Sequence, residues 1–99
     1  MVISLNTNFS NEEMKILKEY KDVDVKLFIN SESLFHVGVW NGENRMDLVE
    51  NPHRLIGVGG LYLLEEKGEL NEWHMGDSKE GVYYFWGNYG DLKDALEGL

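Results

Sequence analysis

The sequence contains no cysteine, one proline and only two arginines among its 99 residues. The lack of cysteine excludes disulfides, thiolate nucleophiles, zinc–thiolate sites and thiol redox chemistry, and it is compatible with a reducing compartment. Because few basic side chains are present to neutralise phosphates, neither direct nucleic-acid binding nor attraction to anionic membranes is expected. No apolar run approaches the roughly 18 residues of a membrane span, and the first residues do not resemble a signal peptide. We therefore expect a cytoplasmic protein.

The charge that is present is mostly negative. Eighteen acidic residues against nine basic ones give a net charge of −9. Residues 65–80 are the densest acidic segment, with six acidic residues and two lysines. Such a segment is typical of a solubilising surface, and the alternative is a docking surface for a basic protein. The sequence leaves both interpretations open.

The two ends of the chain carry clear helix signals. Ser10 and Glu13 have the spacing of a capping box, which predicts a helix over about residues 10–20. Asp91 is placed to cap a short C-terminal helix over about residues 91–98, in which apolar residues recur at helical spacing.

The segment between the helices has the pattern of strands and tight turns. Asn41-Gly42 is the dipeptide preferred in a type I′ hairpin turn. Pro52 fits the first residue of a short helical turn, and residues 76–81 fit a polar loop. The predicted fold is a single compact α+β domain with a mainly antiparallel sheet of about six to seven strands, in hairpins or a meander. The strands are expected at 2–5, 23–29, 34–40, 46–49, 61–64, 70–75 and 82–86.

Motifs for cofactor chemistry are weak. The glycine-rich segment 57–60 lacks both the third glycine of a dinucleotide-binding loop and the lysine of a P-loop. The three histidines show no metal-ligand spacing, so neither a metal nor another cofactor is expected. Glu72 and His74 would share one face of a predicted strand, where such a pair can act as general acid and base.

The densest apolar feature is aromatic. Residues 82–89 contain five aromatic side chains, and strand alternation directs Tyr84 and Trp86 to one face and Tyr83 and Phe85 to the other. Such a strand is either covered on both faces or leaves tyrosine and tryptophan exposed as anchors for a partner.

Acidic residues beside aromatic ones predict a small, non-enzymatic, protein-binding domain that inhibits or neutralises a protein with a basic surface. Its partner could be a toxin, a nuclease or another nucleic-acid-binding enzyme, as for an immunity-type or antitoxin-like inhibitor. Carboxylates would steer association and aromatic rings would slow dissociation.

The alternative is a small enzyme or ligand-binding domain that uses Glu72 and His74 beside an aromatic pocket. Either a monomer or a homodimer fits. The expected partner-binding residues are Glu65, Glu66, Glu69, Glu72, Trp73, Tyr84 and Trp86.

Overall fold

The computed structural model describes the backbone of residues 1–99 and every side chain except that of Trp40. Two short helices and nine strands make up the fold, with a 3₁₀ turn at Ser31–Ser33. In chain order the elements are β1 (Val2–Ser4), α1 (Asn11–Leu17), β2 (Val23–Val25), β3 (Phe28–Asn30), β4 (Leu34–Trp40), β5 (Glu43–Leu48), β6 (Pro52–Val58), β7 (Leu61–Glu66), β8 (Trp73–Lys79), β9 (Val82–Tyr89) and α2 (Leu92–Glu97).

Seven of the strands form the main sheet, in the order β2-β6-β7-β8-β9-β4-β5. Every neighbouring pair is antiparallel except β4 and β9, which run parallel. Strands β1 and β3 pair in a separate antiparallel sheet. The predicted α+β class, with a mainly antiparallel sheet and a short C-terminal helix, is therefore confirmed. The sequence did not separate the small sheet from the main one.

Each face of the main sheet is covered by a different layer. On the helix face, α1 and α2 pack against β2, β6, β7 and β8, and the buried residues are Leu17, Ile56, Val58, Leu63, Trp73, Met75, Leu92, Ala95 and Leu96. On the opposite face, which we call the small-sheet face, β1 and β3 lie over a second core made of Leu5, Ile29, Leu34, Val49, Leu55, Leu64 and Phe85. Because central strands are covered on both sides, both alternating sets of their side chains are largely apolar.

The N-terminal helix is shorter than predicted. It begins as expected, with both hydrogen bonds of the Ser10–Glu13 capping box in place. Its last regular residue is Leu17, because Glu19 and Tyr20 donate to the carbonyls three residues earlier and tighten the chain into turns. Asp22 then has a φ of 59°, which ends the helical path. The C-terminal helix matches its prediction, with Asp91 as N-cap and Gly98 as C-cap.

Two local predictions between the helices were wrong. Pro52 does not begin a helical turn but is the first residue of strand β6. The first position of a strand is one where a sheet tolerates proline. Residues 76–81 are not a loop, since β8 continues to Lys79 and Glu80-Gly81 makes a two-residue turn with φ values of 53° and 82°. Asn41-Gly42 forms the predicted hairpin turn, again with both φ values positive.

Candidate functional site

Two of the seven predicted partner-binding residues, Glu65 and Trp73, lie in the protein interior. Both have a relative exposure of 0%, and they are register partners on β7 and β8. The acidic side chain is buried because its partner on β6 is Arg54, which supplies the opposite charge. Neither residue is accessible to another protein in this fold, which corrects their expected place on the surface.

Arg54 connects three elements through its guanidinium group. Its Nε and Nη2 donate to the two carboxylate oxygens of Glu65 at 2.7 and 2.8 Å. Its Nη1 and Nη2 also donate to Glu13 of α1 at 3.0 and 2.8 Å. The guanidinium carbon lies 4.6 Å from the ring centroid of Phe9 and 5.1 Å from that of Trp73, within the range of cation–π attraction.

These contacts keep the buried charges ionised. Burial raises the pKa of Glu65, but hydrogen bonds from Arg54, His53 and the backbone of Asn71 outweigh it and lower that pKa below its usual value. Burial likewise raises the pKa of Glu13, and its hydrogen bond from Arg54 makes the largest contribution to lowering it. The pKa of Arg54 is raised because its hydrogen bonds to both carboxylates outweigh its burial. The arrangement is a structural ion-pair network in which Glu13, Arg54 and Glu65 stay charged at neutral pH.

An apolar part of the main sheet, beyond the two helices, is open to solvent. Since Leu34 and Phe85 are buried on the small-sheet face, their neighbours Phe35 and Tyr84 point to the helix face. We place Trp86 on the same face, since it lies between Phe85, which points the other way, and Gly87, whose Cβ direction is toward Met75 of the helix face. No described residue of β4 or β5 belongs to the core beneath α1 and α2. We call this region the open face, and it consists of Phe35, Val37, Val39, Met46, Leu48, Tyr84 and Trp86.

The open face has a well-defined geometry. Phe35 is the register partner of both Tyr84 on β9 and Leu48 on β5, so the three form a row across the sheet. The rings of Phe35 and Tyr84 stack with centroids 6.3 Å apart. Trp86 is 57% exposed and Val39 is 73% exposed. These side chains are held in place by the sheet while their outer surfaces contact solvent.

Acidic side chains border the open face on its β8 side. Asp77 is exposed and is the register partner of Tyr84. Helix α2 packs against β8 and β9, and its Asp94 is exposed. The border therefore carries negative charge next to an apolar surface.

A second polar cluster, on the small-sheet face, joins two histidines and a glutamate. Nε2 of His36 forms a hydrogen bond with Oε1 of Glu66. Nε2 of His74 lies 3.8 Å from the same oxygen and 3.1 Å from Oε2 of Glu69. The two imidazole rings meet edge to face, with centroids 4.6 Å apart. Among the side chains that the structure describes, His36, Glu66 and His74 are the group whose donor atoms could reach one metal ion, all three atoms lying within 4.8 Å of one another.

A β-bulge in β9 brings the two histidines together. His36 and His74 lie on β4 and β8, the strands that flank β9. The register of β8 and β9 shifts at this level, so that Trp86 has no partner on β8. Trp86 points to the helix face, and a Cβ at Gly87 would face Met75 and Tyr89 on that same side, so the imidazoles can meet over the backbone of β9.

The predicted pairing of Glu72 with His74 is not observed. Glu72 lies just before β8 begins, so strand alternation does not apply to it, and it accepts a hydrogen bond from Asn88 Nδ2 at 2.6 Å. His74 contacts Glu66 and Glu69 instead.

The seven predicted binding residues thus divide among four places. Glu65 and Trp73 are in the interior, Glu66 and Glu69 are at the histidine cluster, Glu72 is at the start of β8, and Tyr84 and Trp86 are on the open face. The contribution of His36 was missed in the sequence, because no local spacing relates it to Glu66 or His74.

Comparison of the chain with protein-family models, with curated proteins and with solved structures finds no match in any of the three. The geometry of the chain is therefore the basis for any functional assignment. None of the helices formed by the described residues has the length and apolar composition needed to cross a membrane.

Proposed function

We propose that this chain is a small protein-binding domain whose open face docks on a partner protein with an apolar patch surrounded by basic residues. The observation that carries the proposal is the apolar sheet surface left uncovered beside α2. Contiguous exposed apolar surface with a polar border is characteristic of protein interaction sites. This proposal retains Tyr84 and Trp86 from the predicted binding residues and replaces the buried Trp73 with the aliphatic residues of β4 and β5.

The chemistry of the open face supports a protein partner. Tyrosine and tryptophan supply large contact areas at low cost in conformational entropy and are enriched among interface hot spots. Trp86 and Tyr84 are both held on β9, and the stacked Phe35 supports Tyr84 from the neighbouring strand. Because the rings are fixed by the sheet, little ordering is required on binding.

The charge of the chain favours a basic partner. The net charge is −9, and Asp77 and Asp94 lie at the border of the open face. Negative charge around an apolar centre accelerates encounter with a cationic protein and disfavours acidic competitors. In its finer form, the proposal is that binding inhibits the partner, for which nucleases and other nucleic-acid-binding enzymes are suitable because their own surfaces are basic.

The proposal is tested by capture followed by kinetics. Proteins retained from a lysate of the source cells by the immobilised full chain are identified, and each is purified for binding and activity measurements. We expect a basic partner whose affinity falls at least about 30-fold with Trp86→Ser, mainly through faster dissociation, since a hot spot contributes about 2 kcal/mol or more. The doubly charge-reversed Asp77→Lys/Asp94→Lys variant should associate more slowly and show weaker salt dependence.

Phe28→Ser is the matched control. Phe28 is an equally exposed aromatic residue, at 62%, but it lies on β3 of the small sheet, away from the open face. Its replacement should leave affinity unchanged within about twofold. The proposal fails if Trp86→Ser binds like the wild type, or if Phe28→Ser loses as much affinity. It also fails if light scattering shows a homodimer that Trp86→Ser dissociates, because a second copy would then cover the open face.

A further inference from the structure

We propose that His36, Glu66 and His74 form a binding site for a divalent first-row transition-metal ion, with Zn²⁺ as its reference ion. The ligands are Nε2 of each histidine and Oε1 of the glutamate, and Glu69 is placed to supply a fourth ligand. This inference does not depend on the proposed protein-binding function, since the cluster lies on the small-sheet face and the open face lies on the other side of the sheet.

Two distances between donor atoms are close to those of a tetrahedral site, and the three proposed ligand atoms all lie within 4.8 Å of one another. Two donor atoms that share a zinc ion lie about 3.3 Å apart, because Zn–N and Zn–O bonds are about 2.0–2.1 Å long. His74 Nε2 lies 3.1 Å from Glu69 Oε2 and 3.8 Å from Glu66 Oε1, which brackets this separation. His36 Nε2 contacts the same Glu66 oxygen, so small side-chain rotations would admit an ion between the three donors.

The donor set selects the class of metal. Two imidazoles with one carboxylate suit zinc, iron, cobalt, nickel or copper, whereas calcium and magnesium prefer sites made of oxygen ligands alone. Neutral imidazoles and one carboxylate would leave a dication with one net positive charge, which Glu69 would balance. Glu69 is about half exposed, so this fourth position is accessible from solvent.

The fold holds the donors in place before any ion binds. His36, Glu66 and His74 come from β4, β7 and β8, three strands of one sheet. His74 is buried and the Glu66 side chain is only 17% exposed, so neither side chain is free to move far. A bound ion would tie β4 to β7 and β8 across β9, beside the parallel junction whose register covers only three residue pairs. It would thereby fix the outer β4–β5 hairpin to the rest of the sheet.

The test measures metal binding by the full chain after treatment with a chelator. We expect one Zn²⁺ per chain at neutral pH, with a Kd below about 10 μM by calorimetry. Co²⁺ should give the visible absorption of a tetrahedral nitrogen–oxygen site, and Zn²⁺ should raise the Tm. His36→Gln and His74→Gln should each weaken binding at least about 100-fold, because each removes a direct ligand.

His53→Gln is the matched control. This substitution removes the third histidine, which is hydrogen-bonded to Glu65 and lies outside the cluster. The variant should bind Zn²⁺ like the wild type. Circular dichroism checks that each variant is folded, since His74 is buried and its replacement can disturb the core. If His74→Gln does not fold, His36→Gln decides the outcome, because the His36 side chain is 33% exposed. The proposal is overturned if the wild type binds Zn²⁺ no more tightly than about 10 μM. It is also overturned if folded His36→Gln retains wild-type affinity, or if His53→Gln loses as much affinity as His36→Gln.

Discussion

At the scale of single residues, Arg54 holds together the polar part of the interior. One guanidinium joins α1 through Glu13, β7 through Glu65, and the loop before α1 through the carbonyl of Asn8. Glu13 has a second task, since its carboxylate also accepts from the backbone of Ser10 in the capping box. Because burying a charge is costly unless it is paired, each member of this set depends on the others.

Glu65→Gln tests this dependence. The change keeps the shape of the side chain but removes the charge opposite Arg54, so we expect a loss of about 2–4 kcal/mol in the free energy of unfolding. The measurement is urea unfolding at neutral pH. Glu12→Gln, at an exposed position on α1, serves as the control and should stay within about 0.5 kcal/mol of the wild type. Equal stabilities of the two variants would show that the network contributes nothing.

At the scale of elements, the β8–β9 hairpin determines what the main sheet presents on both faces. Its bulge points Trp86 to the open face and leaves room for His36 and His74 to meet on the other side. Gly76 makes this register possible, because the backbone of β9 occupies the space that a side chain at position 76 would need. A Cβ added at Gly76 would overlap the carbonyl oxygen of Tyr84 and lie 2.7 Å from Phe85 Cδ1.

Gly76→Ala should therefore destabilise the protein by at least about 2 kcal/mol, since the obstacle is backbone that cannot rotate away. Thermal or urea unfolding measures the loss. The control is Gly38→Ala on β4, where an added Cβ meets no atom within 4 Å among the residues described and φ is not positive. That variant should match or slightly exceed the wild type in stability. A well-tolerated Gly76→Ala would mean that β8 and β9 pair in another register.

At the scale of the whole molecule, coverage of the sheet is uneven and the charge is strongly negative. The two helices shield one end of the helix face and the small sheet shields the opposite face. The β4–β5 hairpin projects beyond the helices, and β5 is one of the two edge strands of the main sheet. The side chains of β5 are exposed along its full length, with Glu43, Arg45 and Asp47 alternating with Asn44, Met46 and Leu48. Charges along an edge strand oppose uncontrolled strand pairing.

The stability of the whole fold should depend on pH through the ion-pair network. The pKa values of Glu13 and Glu65 are lowered in the folded state, so their contribution is fully present above the unfolded-state pKa and is lost as pH falls through the folded-state pKa. We expect the stability difference between wild type and Glu65→Gln to be constant near neutrality and to shrink below about pH 4.5, where the unfolded wild-type chain binds a proton at Glu65 that the folded protein does not yet bind.

Urea unfolding of both proteins between neutral and acid pH checks this expectation. Comparing the two at each pH removes the effect of the changing net charge, which is nearly the same for both. A difference that stays constant down to acid pH would contradict the lowered pKa of Glu65.

The sequence predicted the local features of the fold and only part of the site. The start of α1, the caps of α2 and the Asn41-Gly42 hairpin all rest on contacts between neighbouring residues, which a sequence displays directly. The parallel pairing of β4 with β9 and the separate small sheet depend on contacts between distant segments. Tyr84 and Trp86 were predicted to share one face of a strand, whereas the β4 and β5 residues of the open face depend on strand order.

The sequence by itself determined the α+β class, the helix caps, the turns and the negative charge, because each follows from composition or from interactions a few residues apart. The tertiary structure alone decided which acidic and aromatic residues face solvent. Glu65 looked like a surface residue until register placed Arg54 beside it, and His36 had no recognisable partner until β9 brought its two neighbouring strands together. The physical reason is that burial and pairing are properties of strand order and register, which no local pattern encodes.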